Sequence, residues 1–471
     1  MASKRDQLQA HQFQVQRAVS ALVLQETDPE QPPFRRVSGA AIGAVVLGVI
    51  SLVIAGVFGL IFPGGNKSWQ DGNSIIVEKE TGTRFVYLDG QLHPMANYAS
   101  AVLALGKKAD ALSISGNSLV GVPRGPVIGI PDAPDSLPGP DKALGGWSLC
   151  SQPTTGPTGA SVASSVLLVG ANPSGGTPVG GGAVLVRTSD TGPQYLLYNG
   201  YRHQIDSAET VRVGLAVSSV PVVRVSPALV ESLPQGEPVG PIAVADLGKP
   251  SDAVPGRGDL KAGHLLTMQT PSGATQHYLV ERHQLTPITE LAYDIQLAYP
   301  PTATAYGGAP FGLSIPPSLV AGATIGTPKQ LTEASPPTVR PAFVPATDLT
   351  SVCLGFTSGS FVPKITVSPG LPPRDLLIAT AGRTAGGVAL ADYVYVPPGQ
   401  VGIVEVMPSE TAQAGTLAVV TDLGVAYPLD APDVMSWLGY STVKPVRVPA
   451  GLMARLPQGP GLSHEAALQR A

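Results

Sequence analysis

Seven histidines, two cysteines and three segments in which a lysine closely follows a glycine are the places in this chain where chemistry could be built. A phosphate cradle needs GxxxxGK followed by Ser or Thr, because the glycines let backbone amides converge on phosphate while the Lys and the hydroxyl serve phosphate and Mg²⁺. Three segments approach that pattern and each departs from it. Gly65-Asn66-Lys67-Ser68 lacks the Gly before Lys, Gly106-Lys107-Lys108 lacks the hydroxyl, and Gly248-Lys249-Pro250 has Pro in its place. No GxSxG elbow for a serine hydrolase occurs either. His203 and His283 sit in matching words, Arg202-His203-Gln204-Ile205 and Arg282-His283-Gln284-Leu285, with His93 at a comparable turn. Two such turns could supply metal ligands, but inherited copies of one surface-turn residue explain them more simply. Asp132-Ala133-Pro134-Asp135 and Asp430-Ala431-Pro432-Asp433 pair carboxylates as a calcium or acid–base site would. The second leads into Val434-Met435-Ser436-Trp437, where Asp430 as a helix cap with Pro in the first turn is the simpler reading. Cys150 and Cys353 are too few for a four-ligand zinc site. No catalytic residue, cofactor or metal ligand is assigned from these patterns.

The elements that would position such residues are constrained by composition. At about 150 residues per domain, 471 residues allow about three folded units. Glycine (55) and proline (48) are abundant and charged residues make up only 13%, against a usual ~25%, which disfavours long exposed helices and coiled coils. Hydrophobic residues at 43% suffice for cores, so the glycines and prolines read as turns between short strands. A net charge of -4 and a pI of about 6.0 offer no basic footprint for nucleic acid.

One hydrophobic span divides the chain. No charge lies between Arg36 and Lys67, and Gly39 to Phe62 is apolar or small throughout, long enough to cross a ~30 Å hydrocarbon core. A cleaved signal peptide would have a shorter apolar region and a small-residue cleavage site, whereas Pro63-Gly64-Gly65 follows here, so residues 37–62 read as an uncleaved transmembrane helix. Arg17, Arg35 and Arg36 before the span, against Lys67 and Lys79 after it, place the N-terminus in the cytoplasm and the C-terminal body outside. Arg35 and Arg36, with Trp69 just beyond the span, read as interface anchors. Gly39 and Gly43 form GxxxG, and Ala40, Ala44 and Gly48 continue a small-residue stripe that would admit another helix. In the cytoplasmic segment 1–36, Arg5 to Leu24 lacks Gly and Pro and spaces Leu8, Val15, Val19, Leu22 and Val23 as one amphipathic helix does.

Beyond the span, four segments share one grammar: strand, turn, strand, Asp-Gly-like turn, short helix. They begin at Ile75, Ala183, His264 and Val401, with Gly82, Gly192, Gly273 and Gly415 between the first two apolar runs, where a hairpin favours tolerance of positive φ. Leu233-Pro234-Gln235-Gly236 and Leu456-Pro457-Gln458-Gly459 repeat one word at the ends of two units. The division is a linker with repeat 1 (63–138), repeat 2 (183–241), repeat 3 (264–327), repeat 4 (401–463) and a tail (464–471). The intervening segments 139–182, 242–263 and 328–400 carry strand-like runs at Ser164–Gly170, Pro241–Asp246, Val352–Phe356, Phe361–Val367 and Asp375–Ala379, which favours one discontinuous central β domain. The fold class is α+β, mainly β. Cys150 and Cys353 fall in the first and third of these segments; a bond between them would tie the two, and two buried free thiols are the alternative.

The run from Gly72 through Ile75-Ile76-Val77-Glu78 and Phe85-Val86-Tyr87-Leu88-Asp89-Gly90-Gln91-Leu92-His93-Pro94 to Asn97-Tyr98-Ala99-Ser100-Ala101 resembles the signature of the EccB family, a membrane component of actinobacterial type VII (ESX) secretion systems. The resemblance extends through Pro123-Arg124-Gly125, Ile130-Pro131-Asp132-Ala133-Pro134-Asp135-Ser136-Leu137-Pro138 and Trp147-Ser148-Leu149-Cys150, and covers the N-terminal segment, the single span and the repeat plan. It implies an elongated outer body of four repeats around a central β domain with one disulfide. It also implies a structural subunit of an inner-membrane export complex, in contact with EccC, EccD and EccE type subunits, a mycosin protease, membrane lipid and further copies of itself. Some family members carry an ATPase attribution, which makes nucleotide hydrolysis one alternative; a membrane-tethered wall-binding or ligand-binding module is the other.

Overall fold

The computed structural model describes residues 3–23, 25, 35–61, 67–156, 159 and 161–471. Two helices precede the body. Helix α1 spans Lys4–Val23, close to the expected stretch, whose last residue, Leu24, lies outside the described residues. Helix α2 spans Arg35–Ile61, interrupted by no proline and flanked by Pro33 and Pro63, which favour breaks in a helix. Among the described residues it is the helix long and apolar enough to cross a membrane: Ser38–Val57 has a mean hydropathy of 2.6 and none of it is buried in the protein.

The body contains four four-stranded repeat sheets of one design. In repeat 1 the strands Ile75–Glu78, Arg84–Leu88, Gln91–Pro94 and Ala111–Ile114 lie in the order third, second, first, fourth. The first three form an antiparallel meander, and the fourth returns parallel to the first after the helix Tyr98–Leu105. Repeats 2, 3 and 4 repeat this order around first strands Ala183–Arg187, Leu265–Gln269 and Val401–Met407. Repeat 4 gains a fifth strand, Ala143–Leu144, parallel to Val401–Gly402.

Each first strand is apolar on both faces because each sheet is covered on both sides. In repeat 4, Val401 and Ile403 enter a core shared with Ile75 and Val86 of repeat 1, while Val404 faces the central domain. In repeat 2, Val184 and Val186 face the central domain, while Ala183 and Leu185 pack with Leu291 and Ile295 from the helix of repeat 3. The cores therefore run in the order repeat 3, repeat 2, central domain, repeat 4, repeat 1. Residues 464–471 join the last of these: helix His464–Ala467 packs on Tyr98–Leu105, His464 Nδ1 lies 2.6 Å from the Leu103 carbonyl, and Arg470 bridges Ile128.

The central domain is a seven-stranded sheet, in the order Ile378–Ala379, Tyr393–Tyr395, Ser161–Val169, Trp147–Thr155, Val352–Phe356, Lys364–Val367, Thr177–Pro178. Its strands come from 139–182 and 328–400. The segment 242–263, expected to form part of it, contributes none. Ile242 and Val244 instead pack beside Leu265 and Leu279, and Ala253, Val254 and Leu260 enter the core of repeat 3. Pro241–Asp246 is not a strand; the Gln296 side chain, accepting from the Ile242 amide at 2.9 Å, takes the place of a sheet partner.

Two other local expectations change. Gly82 and Gly273 have φ of +73° and +88°, as a hairpin turn favours, but Gly192 and Gly415 do not have positive φ. Gly415 is needed for space, since a Cβ there would lie 2.3 Å from the Val406 carbonyl oxygen. Trp69 does not present its ring to lipid: it is fully buried beneath repeat 1 with Ile76, Phe85 and Leu92, edge-on to Tyr87 at 5.5 Å between ring centroids. Closing a small core with a large aromatic surface outweighs its use as an interfacial anchor. Arg35 and Arg36 open α2, and their side chains lie outside the described residues.

Candidate functional site

The residues singled out for chemistry separate in space. Lys107 is hydrogen-bonded to Asn73, and Lys249 closes a turn onto Asp246. Lys67 precedes the short turn Ser68–Asp71, and the glycines before it lie outside the described residues. Among the described residues no group of three or more His, Cys, Asp and Glu is arranged to hold a metal. Asp135 accepts from the Tyr98 amide at 3.1 Å and from Arg84 at 2.8 Å, which fixes the start of a helix already capped by Asn97. In the second Asp-Ala-Pro-Asp word, Pro432 opens the helix as expected, but the cap position is Ala431 and Asp430 does not cap it. The Asp430 amide is engaged instead by the Leu462 carbonyl.

The matching Arg-His-Gln words do not occupy matching positions. In repeat 2 the second and third strands are joined by Asn199-Gly200, both with positive φ, and His203 falls inside the third strand, fully buried. Its Nδ1 lies 2.8 Å from the Glu237 carbonyl, and burial holds the imidazole below its usual pKa. In repeat 3 the turn is the four residues Glu281 to Gln284, so His283 stays exposed in it, 2.8 Å from Asp252. These histidines are therefore not copies of one surface-turn residue.

A feature missed in the sequence explains the repeated Leu-Pro-Gln-Gly word. After each fourth strand the chain crosses back over the edge of the third strand, with one bridge at Leu92 to Arg124, Arg202 to Gln235, Leu285 to Ile325 and Ala426 to Gln458. The next residue is always glycine. A Cβ at Gly125, Gly236 or Gly459 would lie 2.2, 2.4 or 2.3 Å from the ring of His93, His203 or Tyr427, so a ring on the strand lies under the bare backbone. In repeat 3 a Cβ at Gly326 would meet only the flexible Gln284 side chain, at 3.0 Å. The signal was the glycine following the repeat-ending Leu-Pro-Gln.

Cys150 and Cys353 are directly opposed on neighbouring central strands and form a disulfide across a sequence separation of 203. Both are buried, beside Val166 and Leu168. Nearby polar contacts also join the two halves of the sheet: Asp392 accepts from the Ser165 amide and hydroxyl, each at 2.7 Å. Repeats 2 and 4 meet alongside, where Arg455 pairs with Glu231 at 2.6 Å. In α2, a Cβ at Gly39, Gly43 or Gly48 would meet nothing within 4 Å, so the small-residue stripe is not packed against the body.

One helix of membrane-spanning length, leading into a body of like repeats closed by a bonded sheet, defines the class of architecture: a single candidate span followed by a repeat-built body. The profile of the family described as "Type VII secretion system ESX-1, transport TM domain B", EccB, matches residues 1–471, and the chain belongs to that family. It is 28% identical over 419 residues to the ESX-2 secretion system ATPase EccB2 of Mycobacterium tuberculosis, covering 84% of this chain and 81% of that one. It is 26% identical over 486 residues to the ESX-3 secretion system ATPase EccB3 of Mycolicibacterium smegmatis, covering 98% and 90%. Among solved structures, it resembles a chain of an intact ESX-5 inner membrane complex with a TM-score of 0.64 at 23% identity, covering 100% and 96%. The EccB3 dimer of the ESX-3 core complex gives 0.62 at 23% identity, covering 84% and 100%. These structural likenesses establish a common fold.

Proposed function

We propose that this chain is a structural core subunit of a type VII secretion inner-membrane complex, holding partner subunits in place across the membrane and on its outer side. The observation that carries this reading is the continuous packing of the four repeats about one disulfide-bonded sheet, repeats 2 and 4 directly on it and repeats 3 and 1 through them, in a body that follows an apolar helix of membrane-spanning length. A lone span cannot enclose a pore, so export requires other membrane subunits. The chain sits in the inner membrane with residues 1–36 cytoplasmic and the body periplasmic. Its partners are EccC, EccD and EccE type subunits, a mycosin protease, lipid, and further copies of the chain, as the EccB3 dimer suggests for this fold. Gly39, Ala40, Gly43, Ala44 and Gly48 supply the face for a neighbouring helix.

A second reading, nucleotide hydrolysis, is favoured by the names of the relatives, which call those proteins ATPases. ATP turnover by the purified full chain in lipid separates the two. The scaffold reading expects no turnover above that of a preparation depleted of the chain; turnover that follows the chain through every purification step would overturn it. Protease added to spheroplasts is expected to degrade the body and spare an N-terminal tag, and loss of the tag would reverse the orientation.

A further inference from the structure

Three of the four repeats close their sheet edge with the chain itself, and repeat 3 does so only in part. Beyond the first bridge, Ile128 donates its amide to the Pro94 carbonyl and accepts from the Ala96 amide, both at 3.0 Å. Val239 does the same with Gln204 (2.8 Å) and Asp206 (2.9 Å), and Leu462 with Pro428 (2.7 Å) and Asp430 (3.1 Å). Counted from the shared first bridge, the corresponding groups in repeat 3 are the Pro287 carbonyl and the Thr289 amide, and among the described residues no backbone group bonds to either.

The residue three places after the glycine accounts for the difference. It is Ile128, Val239 or Leu462 in the closed repeats, all buried, and Lys329 in repeat 3. An ammonium is costly to bury in an apolar seat, and Lys329 stands instead at the rim, paired with Glu237 at 2.8 Å. The strand residues respond: Met95, Ile205 and Leu429 are buried, whereas their counterpart Ile288 is half-buried. Beside Ile288 lies a cavity of about 500 Å³, lined also by Val239, Pro287, Thr289, Leu291 and Leu331. That volume is within the ~300–1,000 Å³ usual for binding sites.

We propose that this seat receives an extended segment of another protein chain, parallel to Leu285–Ile288, in which one Val, Ile or Leu bridges the Pro287 carbonyl and the Thr289 amide and places its side chain in the cavity. This is strand addition at an unfilled sheet edge, in which backbone bonds give affinity and the side-chain pocket gives selectivity. The chain's own closing segments define the chemistry, since the same register holds an aliphatic residue in each of the other three repeats. Charge agrees: the two charged residues on the lining, Glu237 and Lys329, neutralise one another, and an uncharged segment complements them. The assignment rests on the scaffold reading only in that the body meets partner proteins.

Amide hydrogen exchange on the full chain in lipid tests the seat, with the peptide Leu-Pro-Gln-Gly-Pro-Gly-Leu-Ser, copied from residues 456–463, as probe. In the free chain the Thr289 amide is expected to exchange at least about tenfold faster than those of Ala96, Asp206 and Asp430, and to slow when millimolar peptide is added, as a weak, millimolar-affinity contact allows. The same peptide with its second Leu replaced by Asp is expected to leave it fast. Lys329→Ile should seat the chain's own segment, slowing Thr289 without peptide and abolishing the peptide's effect. Protection of Thr289 equal to the other three in the free chain would overturn the proposal, as would no response of the wild-type chain to peptide. Protection that rises with concentration of the chain alone would make a second copy the occupant and overturn the assignment to another protein. Failure of the chain to assemble with membrane subunits would bear on the scaffold reading and leave these exchange rates unchanged.

Discussion

Repeats 2 and 3 have the same strand order, adjoin one another, and contain the same Arg-His-Gln word, yet they are closed in different ways. In repeat 2 a two-residue turn draws the histidine into the strand, a glycine covers its ring, and Val239 completes the edge. In repeat 3 a four-residue turn leaves the histidine outside, and Lys329 turns away from the edge. Repeat 2 also shares its core with the bonded central sheet, while repeat 3 keeps a core of its own with help from 242–263. The two repeats thus share the sheet, while turn length and one side chain decide which of them is sealed.

Removing the disulfide should break the comparison most strongly. A closed loop of this length has a chain-entropy contribution of up to ~5 kcal/mol, and losses of about 2–5 kcal/mol are usual. Cys150→Ala with Cys353→Ala is expected to speed amide exchange in the central sheet and at Leu197 of repeat 2, which shares its core, and to leave Leu266 of repeat 3 nearly unchanged. Equal loosening of both repeats would show that the array unfolds as one unit. Gly236→Ala comes next: its Cβ meets the His203 ring, and overpacking of this kind costs about 1–3 kcal/mol. Gly326→Ala, against a side chain that can move, should cost under about 1 kcal/mol. Thermal unfolding of the two variants side by side checks the order.

Acid should distinguish the two histidine words more gently. Burial lowers the His203 pKa in the folded state, so as pH falls through about 6.5 the unfolded chain takes up the proton first and stability declines. The slope from one such group is at most ~1.4 kcal/mol per pH unit. His264 and His277 are lowered by burial too, so the informative quantity is the wild-type profile against that of His203→Gln, which is expected to be flatter between pH 6.5 and 5. Parallel profiles would contradict the burial argument. His283→Gln, at an exposed pair with Asp252, should change stability by no more than about 0.5 kcal/mol.

The sequence was most legible where apolar runs are punctuated by glycine and proline. Val352–Phe356 was located to the residue, and the two cysteine-bearing segments do build one sheet. Pro241–Asp246 misled because alternating apolar residues look the same whether a strand or a packed coil presents them. Trp69 misled because closeness to the span says nothing about the core that repeat 1 must seal. The histidine words misled because a two-residue change in turn length moves a residue from strand to solvent without changing its neighbours in sequence. The open edge of repeat 3 was written in one substitution pattern, Ile128, Val239 and Leu462 against Lys329, which acquires meaning only once the bridges they make are known.

The central claim is that the chain holds other subunits together, and removing it from the membrane tests that most directly. The remaining membrane subunits, solubilised in mild detergent and sized on a native gel, are expected to separate into smaller species. Restoring the full chain should recover the large assembly, and residues 67–471 without the helix should not. A large assembly that persists in the absence of this chain would contradict the account.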